Sequence, residues 1–242
     1  MDQESVRRYE EWFLSRAGAF AYARERALLE RLIAEWPRRG QKLLEIGCGP
    51  GLFLEAFWEA GFEVSGLDRD PYMLRRARER MGSRADLHQG DAAHLPFDDN
   101  EFDFAVLLTV LEFTCEPEEV LQEAARVAQK GLLIGFLNRR SLYYLEKGRT
   151  WPWARRGRLR RAHWYTPGEM RRLVTDALGP KPMASGSVLA GPAFTWRNNL
   201  PCRWLNCALP LSLGGFAALR VDLYGGRPLT PIIAFEAKPQ LG

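Results

Sequence analysis

Lys42-Leu43-Leu44-Glu45-Ile46-Gly47-Cys48-Gly49-Pro50-Gly51 decides how this chain folds. A short apolar run enters a glycine turn, and an apolar helical pattern starts at Leu52. Glycines there let the backbone bend tightly and approach a ligand without Cβ collisions. The dinucleotide fingerprint G-x-G-x-x-G would need glycine where Leu52 stands. The pattern is instead G-x-G-x-G, with Glu45 two residues before the first glycine. Downstream, the spacing predicts a helix over 52–60, a strand over 62–67, a helix over 72–81 behind Pro71, and strands over 85–89 and 102–109. A helix over 117–129 and an apolar strand over 132–137 complete the series. Strand and helix alternating at this rhythm mean right-handed crossovers and a parallel sheet covered on both faces.

Upstream, residues 6–36 read as one or two helices, with Leu28, Leu29, Leu32, Ile33 and Trp36 on one apolar face, stopped by Pro37. Toward the C-terminus, Thr166-Pro167-Gly168-Glu169 has the form of a capping box opening a helix to about Leu178. Two more strands are expected over 182–189 and 229–237, separated by a Pro/Gly-rich apolar loop over 191–226. A connection of that length is usually a lid or binding loop. The whole reads as one domain over 1–242: an N-terminal helical cap (1–40), a cofactor-binding core (41–138), a basic aromatic insertion (139–166) and a C-terminal part (167–242).

Composition narrows the class. The 242 residues carry 34 Lys/Arg and 30 Asp/Glu, so 34 − 30 gives +4. That balance is basic without proving a nucleic-acid partner. Four cysteines without a CxxC pair and three histidines argue against a zinc site or a disulfide framework, and fit a reducing compartment. The first residues hold no apolar stretch of signal length. The charge-free stretch from Trp204 to Leu219 is 16 residues and contains Pro210, short of the roughly 18–20 that a membrane span needs. A cytoplasmic globular protein is the expectation.

Acids and glycines recur at the strand ends. Asp68 lies 21 residues after Gly47, where a carboxylate can accept both hydroxyls of a ribose. Gly90-Asp91-Ala92 follows the third strand, and Asp91 can meet the exocyclic amine of an adenine there. Open α/β sheets bind ligands in the crevice at these ends.

In these motifs the chain resembles the class I S-adenosylmethionine-dependent methyltransferases, specifically their type 11 group, which includes ubiquinone/menaquinone-biosynthesis-like enzymes. LLEIGCGPG (43–51) looks like the first motif of that family, GLDRDPYML (66–74) the second, GDAAHLPFDDNEFD (90–103) the third and FAVLLTVLEF (104–113) the fourth. The resemblance implies a Rossmann-like α/β sheet of seven strands in order 3-2-1-4-5-7-6, the seventh antiparallel, and S-adenosylmethionine as cofactor with S-adenosylhomocysteine as product. It puts Gly47, Cys48 and Gly49 beside the methionine moiety, Asp68 on the ribose, Arg69 against the adenine, Asp91 and Ala92 at the adenine edge, and Leu108 and Thr109 under the sulfonium. Glu45 becomes a supporting acid beneath the loop. Tyr9, with Trp12 or Phe13, is the aromatic that closes over the cofactor; plain helix packing is the other reading of Tyr9.

Methyl transfer is an in-line displacement, for which positioning alone supplies much of the acceleration. No catalytic residue is assigned. Glu112 and His163 are candidate bases, each with a plainer reading: a solvated or capping acid, and a structural histidine. His88 and His94 read as structural, and Cys48 as a small packed residue. No Asn/Asp-Pro-Pro-Tyr/Phe sequence and no Asp/Asp/Asn metal cluster is apparent.

The acceptor is less legible. Residues 139–172 carry eleven Lys/Arg against Glu146 and Glu169, an excess of 11 − 2 = +9, interleaved with Tyr143, Tyr144, Trp151, Trp153, Trp164 and Tyr165. Such a stripe can bind RNA, anionic head groups or a small anion, or it can be a solvated face. With the apolar stretch at 204–219, the expectation is a small acceptor, apolar or anionic. The alternatives are RNA, and a non-catalytic module that binds the cofactor.

Overall fold

The computed structural model describes residues 3–148, 159, 161–197 and 213–224. The helices α1 (Gln3–Leu14) and α2 (Arg16–Leu32) come first. They break at Ser15, whose side chain caps α2 by accepting from Gly18 N. The alternation follows as β1 (Lys42–Ile46), α3 (Leu52–Glu59), β2 (Glu63–Asp68), α4 (Pro71–Met81), β3 (Ala85–Gln89), β4 (Phe102–Leu108), α5 (Pro117–Val127) and β5 (Ala128–Leu137). After β5 come α6 (Pro167–Leu178), β6 (Met183–Val188) and β7 (Phe216–Asp222). The capping box at Thr166 and Glu169 is formed.

These strands make one seven-stranded sheet in the order β3-β2-β1-β4-β5-β7-β6. The first five run parallel, and β7 is antiparallel to both β5 and β6. Each strand alternates its side chains between two apolar layers. Leu43, Phe104, Val106, Leu133, Phe216 and Ala218 face the layer holding Leu28, Leu29, Ile33 and Trp36 of the α2 region and Leu54 and Phe57 of α3. Leu44, Ala105, Leu107, Leu132, Ile134, Ala217 and Leu219 face the layer made by Val120, Leu121 and Ala124 of α5 with Met170 and Val174 of α6. Trp36 stacks on Phe104 with ring centroids 3.9 Å apart, anchoring the end of the helical cap to the sheet centre.

Three sequence expectations change. The seventh strand is Phe216–Asp222, inside the stretch read as an apolar loop; the strand expected at 229–237 lies outside the described residues. A strand buried on both faces has no polar alternation to betray it, and here only Gly214-Gly215 marks its start. The fifth strand begins at Ala128, four residues before the position read from its apolar run. Finally, Tyr143, Trp164 and Tyr165 of the basic segment are buried in the two cores, so Trp164 and Tyr165 are not free to stack on bases, while Tyr143 lines an internal cavity. Trp151 and Trp153 lie outside the described residues. Among the described residues no helix is long and apolar enough to cross a membrane.

Candidate active site

Because β1, β2 and β4 are parallel, their C-terminal ends open onto the same side, where a cavity of about 620 Å³ lies. Gly47 and Gly49 shape its floor, with φ of +72° and +53°, conformations that favour glycine. A Cβ on Gly47 would stand 2.6 Å from Val110 Cγ2, whereas one on Gly49 would meet nothing within 4 Å. Gly47 therefore serves a close approach to the neighbouring turn, and Gly49 leaves open space for a ligand. The loop is tied to β2 by Gly47 N and Cys48 N, which both donate to Leu67 O at 2.7 and 3.0 Å.

Asp68, at the end of β2, accepts Gly49 N on Oδ2 at 2.9 Å and Asp70 N on Oδ1 at 2.8 Å. One carboxylate thus fixes both the glycine loop and the turn into α4, and it lines the cavity. Asp70 caps α4 by accepting from Tyr72 N and Met73 N. Glu45 is buried beneath the loop, and its Oε2 has no partner among the described residues. Burial first, and the Asp68 charge second, raise its carboxyl well above the usual range. The Cys48 thiol is buried and also raised, by burial and then by Glu45 and Asp68; it is a packed residue and not a nucleophile.

Leu108 and Thr109 line the cavity at the end of β4. Thr109 has φ +53° and donates its N–H to Gly135 O at 2.8 Å. A non-glycine residue held there stores strain of roughly 1–3 kcal/mol, a feature that clusters at ligand sites. Tyr9, Trp12 and Phe13 of α1 also line the cavity; Phe13 packs edge-on against Tyr9 and Trp12 at 5.1 and 4.7 Å. Glu10 holds α1 against α4 through Arg76 at 2.7 Å and Arg80 at 3.4 Å.

Eight of the expected cofactor residues thus converge: Tyr9, Gly47, Cys48, Gly49, Asp68, Arg69, Leu108 and Thr109 line the cavity. Asp91 and Ala92 are outside that lining; Asp91 is exposed and accepts Ala93 N at 3.0 Å in its own turn. Glu112 is 2% exposed, which removes its solvated reading. Its Oε1 accepts Leu137 N at 2.7 Å, so it ties a strand end and does not line the cavity. His163 is exposed, its N–H donates to Glu112 O at 2.9 Å, and it too is outside the lining.

The sequence reading missed the far end of the cavity, lined by Glu25, Tyr143, Leu189, Trp196 and Phe216. Leu189 there has φ +67°, the second strained non-glycine position on this cavity. Glu25 carried a legible signal: Gly18, Ala21, Leu28, Leu29 and Leu32 form the buried stripe of α2, and residue 25 falls on that stripe at helical spacing.

The strand order and the glycine–acid site define the class I S-adenosylmethionine-dependent methyltransferase fold. Residues 44–135 match the family model described as a methyltransferase domain, which supports the type 11 resemblance of the motifs. Among curated relatives, a phosphatidylethanolamine N-methyltransferase of Cereibacter sphaeroides is 38% identical over 106 residues, covering 42% of this chain and 52% of the relative. A demethylmenaquinone methyltransferase of Paenarthrobacter aurescens is 36% identical over 92 residues, covering 38% of this chain and 36% of the relative. The chain thus spans about half or less of the length of these two relatives. Among solved structures, a Thermotoga maritima protein described as a SAM-dependent methyltransferase, possible histamine N-methyltransferase, superposes with a TM-score of 0.70 at 24% identity. That match covers 91% of this chain and 97% of the other. Magnesium protoporphyrin IX methyltransferase of Synechocystis PCC 6803 with bound SAH gives a TM-score of 0.61 at 17% identity, covering 86% and 85%.

S-adenosylmethionine is the cofactor of this family, and the residues present fit it. Gly49 leaves space where any other residue would project a side chain. Among the described lining residues, Arg69 is the one cation, set against the carboxylates of Asp68 and Asp70, while the carboxyls of Glu25 and Glu45 are raised. That balance suits a ligand with net positive charge.

Proposed function

We propose that this chain transfers a methyl group from S-adenosylmethionine to a small, largely apolar acceptor. The observation that carries the reading is the continuity of one cavity, from Gly49 and Asp68 at the ends of β1 and β2 to Tyr143, Trp196 and Phe216 beyond β5. The bound cofactor supplies an electrophilic methyl group on a sulfonium. Gly47 and Gly49 let the backbone approach it, and Asp68, held by two backbone N–H groups, offers its remaining lone pairs to the ribose hydroxyls. Arg69 lies along the adenine. Leu108 and Thr109 bound the cavity where the methyl group is presented, and Tyr9, Trp12 and Phe13 exclude water above it. Holding nucleophile and methyl in line, roughly 3–3.5 Å apart, supplies much of the rate without a base.

The anionic-acceptor and RNA readings draw less support. Among described cations of the basic segment, Arg139 pairs with Glu169 and Lys147 with Glu146, while Arg171 donates to Ser185. None of these lines the cavity. The relatives' names support methyl transfer and do not choose the acceptor.

The test pairs binding with turnover. Calorimetry should give micromolar-range affinity for S-adenosylhomocysteine, weakened by about 1.5–3 kcal/mol in Asp68→Ala through loss of a charge-assisted hydrogen bond. Equal affinity in the two proteins would remove Asp68 from the site. Labelled S-adenosylmethionine with cell extract, fractionated into lipid, RNA, protein and metabolites, should label the small-molecule pool. Label in RNA would favour the rival substrate, and binding without any labelling would favour a non-catalytic module.

A further inference from the structure

Glu25 is the unexplained group of this cavity. It sits on the buried stripe of α2, between Ala21 and Leu28, where the fold would accept an apolar residue. It is half-buried and lines the cavity, and it makes no hydrogen bond or ion pair with a described residue. Desolvation alone pushes its carboxyl up to about 7. A carboxylate partly withdrawn from water and left without a donor costs stability, so its position on the cavity wall suits a donor that arrives from outside.

The surroundings say which donor. Burial first, and the nearby Glu25 charge second, raise the Tyr143 phenol. Tyr143 packs on Trp196 with ring centroids 4.8 Å apart, and Phe216 continues the wall. This end lies over β5 and β7, while Gly49 and Asp68 lie at β1 and β2, on the other side of β4 in the sheet. Glu25 is therefore at the acceptor's end. A carboxylate beside electron-rich ring faces recognises a cation with both Coulombic and cation–π attraction, and the described lining offers no cation at this end to compete.

We propose that Glu25 is the specificity-determining residue of the acceptor site, and that with Tyr143 and Trp196 it binds the ammonium group of a small amine. This rests on the methyltransferase reading and narrows its acceptor class. An acceptor lacking that nitrogen would leave the carboxylate desolvated and unpaired. Replacing Glu25 by Gln removes the charge while keeping the volume, so the protein should fold, and it should melt higher at pH 8 because an unpaired, partly desolvated charge is gone.

The experiment uses the full chain saturated with S-adenosylhomocysteine and titrates three probes of one shape: 2-phenylethylamine, 2-phenylethanol and phenylacetate. The amine should bind at least ~10-fold tighter than the alcohol, and the carboxylate weakest. E25Q should abolish that preference while S-adenosylhomocysteine affinity stays within about twofold of wild type, a ratio worth under 0.5 kcal/mol. Equal binding of the three probes, or an amine preference that survives in E25Q, would overturn the proposal. A matching loss of S-adenosylhomocysteine affinity in E25Q would overturn it too, by moving Glu25 to the cofactor's end. A wild-type protein that fails to bind S-adenosylhomocysteine would instead sink the methyltransferase reading beneath it. Should E25Q melt lower than wild type at pH 8, Glu25 is a structural residue and the proposal fails.

Discussion

Replacing Glu112 by Gln should flatten the pH dependence of folding. The Glu112 side chain lies in the turn after β4, with Oε1 accepting Leu137 N at 2.7 Å and Oε2 without a partner among the described residues. Its backbone oxygen accepts His163 N, so the residue joins the end of β5 to the chain entering α6. Burial raises its carboxyl from 4.5 to about 7, against the lowering effect of the Leu137 N–H. In the unfolded chain the group ionises near 4.5, so between that pH and about 7 the unfolded state has lost a proton that the folded state keeps. The favourable contribution is complete below 4.5 and is lost as pH rises through 7. At 1.36 kcal/mol per unit, the loss between pH 5 and pH 8 is about 2–3 kcal/mol. Gln keeps an acceptor for Leu137 N and cannot ionise. Urea unfolding of both proteins at pH 5 and pH 8 reads the effect as a difference of differences, so the other raised carboxyls, Glu25 and Glu45, cancel. E112Q should gain about 2–3 kcal/mol on wild type between the two pH values, or roughly 4–12 °C in Tm for a chain of this size. Parallel pH profiles for the two proteins would refute the reasoning, because Glu112 would then titrate alike folded and unfolded.

Gly49→Val should leave a folded protein, since its Cβ meets nothing within 4 Å, at a strain cost of roughly 1–2 kcal/mol for the left-handed backbone. It should lose S-adenosylhomocysteine binding on calorimetry; retained affinity in a folded variant would show that the loop is not the cradle. Glu10→Ala should release α1 from Arg76 and Arg80, costing on the order of 1 kcal/mol or less. Hydrogen exchange at α1 amides and the release rate of S-adenosylhomocysteine should both rise, and unchanged rates would mean that the aromatic contacts alone hold the helix.

The cofactor end was legible because its residues sit at fixed offsets from one strand. Gly47 and Gly49 follow β1 directly, and Asp68 is one crossover away, so a local pattern carries the geometry. Asp91 shows the limit of that logic. It occupies the expected strand end, yet its carboxylate turns back onto Ala93 N, a choice that Asp makes readily in turns and that spacing does not encode. β7 failed for another reason. Phe216, Ala217, Ala218 and Leu219 are all buried between layers, and an apolar run alone does not separate a central strand from an apolar loop.

The acceptor end is built differently, and this bears on what relatives can tell. The family match ends at residue 135 and contains Gly47, Gly49, Asp68 and Thr109. Glu25, Tyr143, Leu189, Trp196 and Phe216 all fall outside it, drawn from α2, from the chain after β5, and from either side of the β6–β7 connection. Of these five only Leu189 and Trp196, seven residues apart, are close in sequence, so no single motif can announce the set; the sheet order brings them together, by inserting β7 between β5 and β6. A cofactor common to a family needs one constant constellation, and a contiguous segment can hold it. An acceptor that differs from member to member needs walls that vary without disturbing that segment, and elements outside residues 44–135 meet this requirement. The strain at Leu189, where an antiparallel return and not a glycine loop sets the backbone, fits a wall made by topology. Acceptor choice is therefore to be read from Glu25 and the rings around it, not from the names of proteins aligned through the glycine loop.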